Sequence, residues 1–283
     1  MSGATKTVVT APDERSARDW VVVLAAAGIA SGTEHRGGAW HVVVDAGDAD
    51  RALDAVAAYE SETIGARGAA EYGRTWAGVV AGVLLVLVDR VVESRATAAA
   101  LVRAAEARAD AIVAGEWWRV VTALTLHADA PHLLSNVLMG AIIATAVCSA
   151  VGPGVGAWLL LATGAAGNWV TAMLHGTKHR AVGASTAIFG GLGVLVGLAI
   201  VRRPRRAWVP LAAGLALLGF LGTGERADLL AHFFGFVAGI VAGIAVAPVR
   251  VLRARPAQWL LALGALGAVG GCWVLALKHG FQR

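Results

Sequence analysis

A few polar side chains occur inside long apolar stretches of this sequence, and their types suit nucleophilic catalysis. Ser185 opens one apolar stretch within GASTAIFG, and His232 lies near the start of another within AHFFGFVAG. Serine is a weak nucleophile unless a neighbouring base takes its proton, and a neutral histidine does this near neutral pH. The two residue types therefore predict a catalytic dyad, with Ser185 as nucleophile and His232 as general base.

A second polar pair precedes the dyad in the chain. His132 and Asn136 are four residues apart in HLLSN, so they share one face of a helix. A tetrahedral intermediate needs preorganised donors, and both side chains are candidates, together with the backbone N–H of Ser185. The pair could also connect a loop to its helix, or do both. Asp228 stands one turn before His232, where a helix-capping role is favoured over a third catalytic role.

The composition is that of a membrane protein. The 283 residues are 57% hydrophobic and 15% charged, against roughly 25% charged residues in soluble domains. Cys148 and Cys272 both lie in apolar stretches, so we expect no disulfide framework and no cysteine zinc site. The net charge of +5 comes from arginines clustered beside apolar segments, so we expect no nucleic-acid partner.

Seven apolar runs are predicted to be helical spans, since a bilayer core about 30 Å thick needs roughly 20 helical residues. They cover residues 75–93, 132–150, 155–174, 185–201, 208–223, 228–248 and 257–277. Arginine clusters within 202–206 and 250–255 follow the fourth and sixth spans and favour the cytoplasmic side. The weaker cluster of Lys178 and Arg180 opposes this orientation. We expect a multi-pass protein of the bacterial inner membrane, without a signal peptide and with a cytoplasmic N-terminus.

The even-numbered spans all run from the outer to the inner face in this topology. The polar residues described above lie within the first turn or so of these spans, within roughly 10 Å of the outer edge. Glycines spaced four apart, Gly193 and Gly197 in the fourth span and Gly235 and Gly239 in the sixth, let helices approach closely. Close approach would bring the serine and the histidine together at one depth.

Residues 1–62 predict a separate soluble domain. Strand patterns cover 6–10 and 39–44, and helical patterns cover 16–27 and 48–60. We interpret this region as a ferredoxin-like α+β domain without a chemical motif, which could bind a cytosolic partner. The predicted organisation is a domain at 1–62, a linker at 63–74 and a membrane domain at 75–283.

The ordered set of motifs resembles the rhomboid family of intramembrane serine proteases. WWRVVTALTLHADAPHLLSN resembles the family's Trp-Arg loop followed by HxxxN, and the family's GxSx and HxxGxxxG motifs come later in the chain. The matching residues are Trp118 and Arg119, His132 and Asn136, Gly183 and Ser185, and His232, Gly235 and Gly239. His127, between the first two motifs, is often present in the family, and we interpret it as structural.

The resemblance implies an all-α polytopic bundle of six transmembrane helices plus one, with a cavity open to the outer face. It implies a hydrolase in the lipid bilayer that cleaves transmembrane protein substrates near that face with a Ser–His dyad and without metal or cofactor. Phe189 stands where the family often has a tyrosine, and its ring can pack on His232. Thr186 follows the nucleophile where many members have glycine, and a β-branched residue there predicts a less efficient enzyme.

Two other classes of membrane protein also have polar side chains inside a helical bundle. A catalytically silent rhomboid-like protein would bind client transmembrane helices without cutting them, and the presence of both Ser185 and His232 argues against it. A small-solute channel or transporter would frequently show paired repeats and broken helices. The sequence has no convincing internal repeat.

Overall fold

The structure is a computed structural model that describes residues 4–67, 75–176, 179–202, 207–221, 228–248 and 255–280. The chain divides into two units, Met1–Ala69 and Ala70–Arg283. The last helix of the first unit extends to Arg67, through the first residues assigned to the linker. The rest of the predicted linker, residues 68–74, lies outside the described residues.

The first unit is a small α+β fold, as predicted. Its elements are β1 (Thr5–Ala11), α1 (Glu14–Ala26), β2 (Ser31–Arg36), β3 (Ala39–Asp45) and α2 (Ala49–Arg67). The sheet order is β1-β3-β2, and both pairs are antiparallel. Leu24, Val42, Val44 and Ala52 are fully buried and form the core between the helices and one face of the sheet.

The strand β2 is an addition to the sequence prediction. Its residues, SGTEHR, lack hydrophobic alternation, so its own pattern gives no strand signal. The strand forms because Gly37 and Gly38, with φ of +58° and +81°, make a tight turn that returns the chain along β3. Pairing with β3, rather than local propensity, determines this strand.

The second unit is a bundle of long helices with a group of short elements between the first and second of them. In chain order it contains α3 (Ala77–Glu93), α4 (Ala98–Ala105), β4 (Ala107–Arg108), α5 (Ala109–Val113), α6 (Arg119–Thr122), α7 (Ala130–Val151), α8 (Pro153–His175), β5 (Arg180–Ala181), α9 (Ser185–Arg202), α10 (Trp208–Leu221), α11 (Leu229–Val246) and α12 (Arg255–Gly280).

Each of the seven predicted spans corresponds to a helix, and the predicted polytopic helical fold is confirmed. Within the described residues, five helices are long and apolar enough to cross a membrane, namely α7, α8, α9, α11 and α12. The helix α10 is apolar but has only 14 residues. The helix α3 has 17 residues and carries Asp89, Arg90 and Glu93 near its end. These two are therefore the shorter members of the bundle.

The helices α9 and α11 pack along each other through glycines. A Cβ atom on Gly193 would overlap the carbonyl oxygen of Phe236, and one on Gly239 would overlap that of Gly190. One turn further along, a Cβ on Gly197 would overlap the carbonyl oxygen of Ile240. The two backbones are in direct contact, as the small-residue spacing predicted.

The helix α12 is attached to the bundle near both of its ends. Near its start, Gln258 is buried, and its Oε1 accepts hydrogen bonds from the backbone N–H groups of Gly154 (2.7 Å) and Val155 (3.1 Å). Near its end, the Trp273 indole N–H donates to the Thr125 hydroxyl at 3.1 Å. The C-terminal half of α12 therefore lies beside the short elements that precede α7.

Gly239→Ala should destabilise the membrane unit by about 1–3 kcal/mol, because the added methyl group has no space between α9 and α11. The measurement is thermal unfolding of the purified protein in detergent. Gly270→Ala on α12 is the matched control, since a Cβ there meets nothing within 4 Å. We expect the control to be neutral or slightly stabilising. Equal melting temperatures for the two variants would contradict the packing.

Candidate active site

Hydrogen bonds to the earlier part of the chain position the loop that leads into α9. The strands β4 and β5 form a two-stranded antiparallel ribbon in which Ala107 pairs with Ala181. The N–H of Gly183 then donates to the carbonyl of Ala123 at 2.9 Å. Gly183 has φ +131°, a conformation that side chains disfavour, so glycine is suited to the turn before Ser185. The nucleophile candidate therefore opens α9 from an anchored loop.

The side chains of Ser185 and His232 form a hydrogen bond. The serine Oγ lies 2.8 Å from the histidine Nε2, so the hydroxyl can donate to a neutral imidazole. His232 is 4% exposed, and the ring of Phe189 lies against it with centroids 4.6 Å apart and planes tilted by 34°. The phenyl ring covers one face of the imidazole and restricts the orientations that the ring can adopt.

The His132 ring lies beside the loop before the nucleophile. A Cβ on Gly183 would come within 2.8 Å of the ring's Cε1 and Nε2 atoms and within 3.6 Å of the Ser185 Oγ. The helix α7 begins here because the Asp129 carboxylate accepts the His132 N–H at 2.8 Å as its N-cap. The capped start of α7 thus holds the His132 imidazole beside the loop that precedes Ser185.

Asn136 is buried one turn further along α7. Its amide Nδ2 donates one hydrogen bond to the His132 carbonyl at 2.9 Å. The NH₂ group has a second hydrogen available for another acceptor. Asn136, His132, Gly183, Ser185, Phe189 and His232 line one cavity of about 800 Å³. The structure thus brings these six candidates together.

The remaining candidates lie outside this lining. Gly235 and Gly239 face α9, where Gly235 leaves space for Thr186: a Cβ on Gly235 would lie 2.6 Å from the Thr186 carbonyl oxygen. On the other side, a Cβ on Gly167 of α8 would lie 2.5 Å from the Thr186 Cγ2. Two glycines on neighbouring helices therefore accommodate the β-branched residue that follows the nucleophile.

Trp118 and Arg119 belong to a buried frame at the start of α6. The Arg119 Nε donates to Glu116 at 2.7 Å, and one terminal nitrogen donates to the carbonyls of Arg103 (2.8 Å) and Glu106 (3.0 Å). The Trp118 ring packs on the His279 ring of α12 with centroids 4.5 Å apart. The hydrogen bonds of Arg119 thus connect the short elements that precede α7.

His127 lies in the loop before α7 with its ring 5.3 Å from that of His132, edge to face. Burial, with a contribution from His132, lowers the pKa of His127 to about 4, so the ring is neutral near pH 7. Neither ring nitrogen has a hydrogen-bond partner among the described residues. Its contact with His132 fits the structural interpretation.

His179 is a residue of this site that the sequence did not indicate. Its Nε2 lies 2.6 Å from the Asp228 Oδ2, and both residues line the same cavity as the dyad. Asp228 also caps α11, since its Oδ1 accepts the Ala231 N–H at 3.0 Å. His179 lies in a polar loop where no motif or periodicity distinguishes a histidine, so only the fold reveals its contact with Asp228.

The fold and the site define a polytopic helical membrane protein with a serine–histidine pair in a cavity between its helices. The family model described as "Rhomboid domain" matches residues 114–249. The chain therefore belongs to the rhomboid family. The match contains Ser185, His232 and the helices α6 to α11, and it leaves the helices α3 to α5 and α12 outside.

Curated relatives agree with this assignment. The chain is 30% identical over 133 residues to "Putative rhomboid protease YdcA" of Bacillus subtilis, covering 45% of this chain and 66% of that protein. It is 32% identical over 139 residues to "Rhomboid protease GluP" of the same organism, covering 48% and 27%. It is 31% identical over 149 residues to "RHOMBOID-like protein 5" of Arabidopsis thaliana, covering 50% and 46%. The matches thus span only part of each relative.

Arg119→Lys should destabilise the membrane unit by about 1.5–3 kcal/mol, because lysine keeps the charge but loses the planar fork that reaches three acceptors. Thermal unfolding in detergent measures the loss. Arg103→Lys is the control, since the Arg103 side chain is exposed and its contribution to the frame is a backbone carbonyl. Equal stability of the two variants would show that the fork contributes little.

Proposed function

We propose that this protein is an intramembrane serine endopeptidase in which Ser185 is the nucleophile and His232 the general base. The 2.8 Å contact between the serine Oγ and the histidine Nε2, inside a cavity of a helical membrane bundle, carries the proposal. Membership of the rhomboid family supports it, and two of the relatives are named rhomboid proteases. Polar groups inside a membrane bundle are costly and are by default functional candidates.

The chemistry follows from the pair. His232 takes the Ser185 proton as the serine oxygen attacks the carbonyl carbon of the scissile bond, and a tetrahedral oxyanion forms. The protonated histidine then gives its proton to the leaving amine, which breaks the C–N bond and leaves an ester on Ser185. A water molecule, deprotonated by His232, hydrolyses this ester and restores the serine.

The oxyanion requires donors on the side of Ser185 that faces α7. The backbone N–H of Ser185, the His132 imidazole and the second hydrogen of the Asn136 amide are the donors that we assign to it. The position of the His132 ring supports this assignment, since a Cβ on Gly183, two residues before Ser185, would come within 2.8 Å of the ring. One such donor typically contributes about 10²–10³ in kcat.

We further propose that cleavage takes place near the outer face of a bacterial inner membrane. The site lies at the N-terminal ends of α7, α9 and α11. Arg202 at the end of α9 and Arg203, Arg205 and Arg206 after it favour the cytoplasmic side for the opposite end. The substrates are then transmembrane proteins whose helices enter the cavity from the bilayer.

Ser185→Ala should abolish cleavage of a transmembrane substrate by the reconstituted protein and should abolish labelling by a fluorophosphonate probe, since the attacking oxygen is absent. Ser135→Ala is the matched control. Ser135 lines the same cavity, but its hydroxyl donates to the His132 carbonyl at 2.9 Å, away from the dyad. We expect the control to keep both activities.

Two outcomes would contradict the proposal. Cleavage that survives Ser185→Ala would mean that another group performs the chemistry. A folded wild-type protein that neither cleaves nor is labelled, beside a rhomboid protease that does both, would favour the silent alternative. In that case the cavity would bind client transmembrane helices without hydrolysis.

With this proposed orientation the first unit lies in the cytosol, and we propose that it binds a partner protein there. Its helices α1 and α2 carry exposed apolar side chains at Val22 and Leu53. A chain lacking residues 1–62 should still be labelled at Ser185 but should lose the partner in affinity purification from membranes. Unchanged cleavage, stability and co-purified proteins would contradict a role for this unit.

A further inference from the structure

Asp228 holds the first turn of the helix that carries His232. Its backbone carbonyl accepts the N–H of His232 at 3.0 Å, and its Oδ1 accepts the N–H of Ala231 at 3.0 Å. Its other carboxylate oxygen contacts His179 at 2.6 Å. Both oxygens are therefore engaged, one by the helix and one by the loop that leads to the nucleophile.

His179 connects this carboxylate to the β4–β5 ribbon. Its carbonyl accepts the N–H of Ala109 at 3.0 Å, and it directly precedes β5, six residues before Ser185. Its ring also stacks on that of His175, with centroids 4.4 Å apart. The contact between His179 and Asp228 thus joins the segment that positions the nucleophile to the helix that positions the base.

The charges of the pair act on the dyad in opposite directions. The hydrogen bond to Asp228 raises the pKa of His179 above its ordinary value of 6.5, against the effect of burial. Burial alone would raise the pKa of Asp228, but the hydrogen bonds from His179 and Ala231 outweigh it and hold that pKa below its ordinary value of 3.8. Between these pH values, His179 is positive and Asp228 negative.

A carboxylate one helical turn from His232 stabilises the positive imidazolium that forms when Ser185 gives up its proton. A positive His179 beside that carboxylate reduces the stabilisation. We propose that Asp228 and His179 are positioning residues of the dyad. The negative charge of Asp228 favours a protonated His232, and the positive charge of His179 partly offsets this effect. This inference rests on the proposed serine protease function.

Among the residues that the structure describes, the other ionisable groups near the pair are His175 at the end of α8, His232 on α11, and Glu106, Arg108, Asp110 and Arg180 at the ribbon. The ribbon groups have counter-ions of their own, with Arg108 on Asp110 at 2.8 Å and Arg180 near Glu106 at 3.3 Å. Within the described part of the chain, the charges that act on the Asp228 carboxylate are therefore those of His179 and His232.

The test is the pH dependence of kcat/KM for a transmembrane substrate, measured with the full-length reconstituted protein. Asp228→Asn keeps an N-capping side chain but removes the charge. We expect it to lower kcat by about tenfold and to move the acidic limb of the profile about one pH unit lower. His179→Gln should move the same limb to higher pH, because no positive charge then offsets the negative charge of Asp228 and His232 is more easily protonated.

Two further variants sharpen the result. The double variant should behave like Asp228→Asn, since without the carboxylate His179 has nothing to offset. His175→Gln removes a neighbouring histidine that stacks on His179 and should leave the profile in place. Shifts in the same direction for both single variants, or no shift in either, would overturn the inference and leave Asp228 as a helix cap.

Failure of this inference is distinguishable from failure of the proposed function. If Ser185→Ala abolishes cleavage and the profiles of the folded variants coincide with wild type, only the positioning role is wrong. If Ser185→Ala retains cleavage, the dyad itself is wrong. Should Asp228→Asn fail to fold, the upward shift expected for His179→Gln still tests the proposal, because an unshifted limb in that folded variant contradicts it.

Discussion

The direct contact between the backbones of α9 and α11 is the constraint on which the rest of the site depends. Gly193 and Gly239 place each helix against a carbonyl of the other, so the separation of the axes is set by backbone rather than by side chains. Ser185 and His232 lie at the same end of this contact, and their hydrogen bond of 2.8 Å depends on that separation. Larger residues in the contact would move the His232 imidazole away from the Ser185 hydroxyl.

Close packing leaves the surrounding polar groups to be satisfied within the protein, because hydrocarbon offers no hydrogen bonds. Asn168 on α8 donates to the carbonyl of Val120 at 2.9 Å, and the Thr122 hydroxyl donates to that of Ala105 at 2.6 Å. The Gln258 Oε1 accepts hydrogen bonds from the buried N–H groups of Gly154 and Val155 in the first turn of α8, which have no partner within the helix. These side chains pair backbone groups that the helices leave without an intrahelical partner, which lowers the cost of burying them.

Much of the membrane unit was predictable because apolar length and helix periodicity are local properties. The sequence located the seven long helices, and its motifs named Ser185 and His232, which the structure places in contact. The β4–β5 ribbon was not predictable, since each strand has two residues and pairs across more than seventy positions of sequence. The sequence did not indicate His179 for the same reason, because its partner Asp228 is distant in the chain.

The family match and the structural unit have different boundaries, and the helix α12 shows the difference. The match ends before this helix, yet Trp273 donates to Thr125 and His279 stacks on Trp118. Both contacts reach the segment that carries the buried arginine frame, and Ala123 of that segment accepts the N–H of Gly183. A short chain of contacts thus runs from α12 through residues 123–125 to the loop that precedes Ser185. The seventh helix is therefore a structural part of the site's support, although it contributes no side chain to the cavity lining.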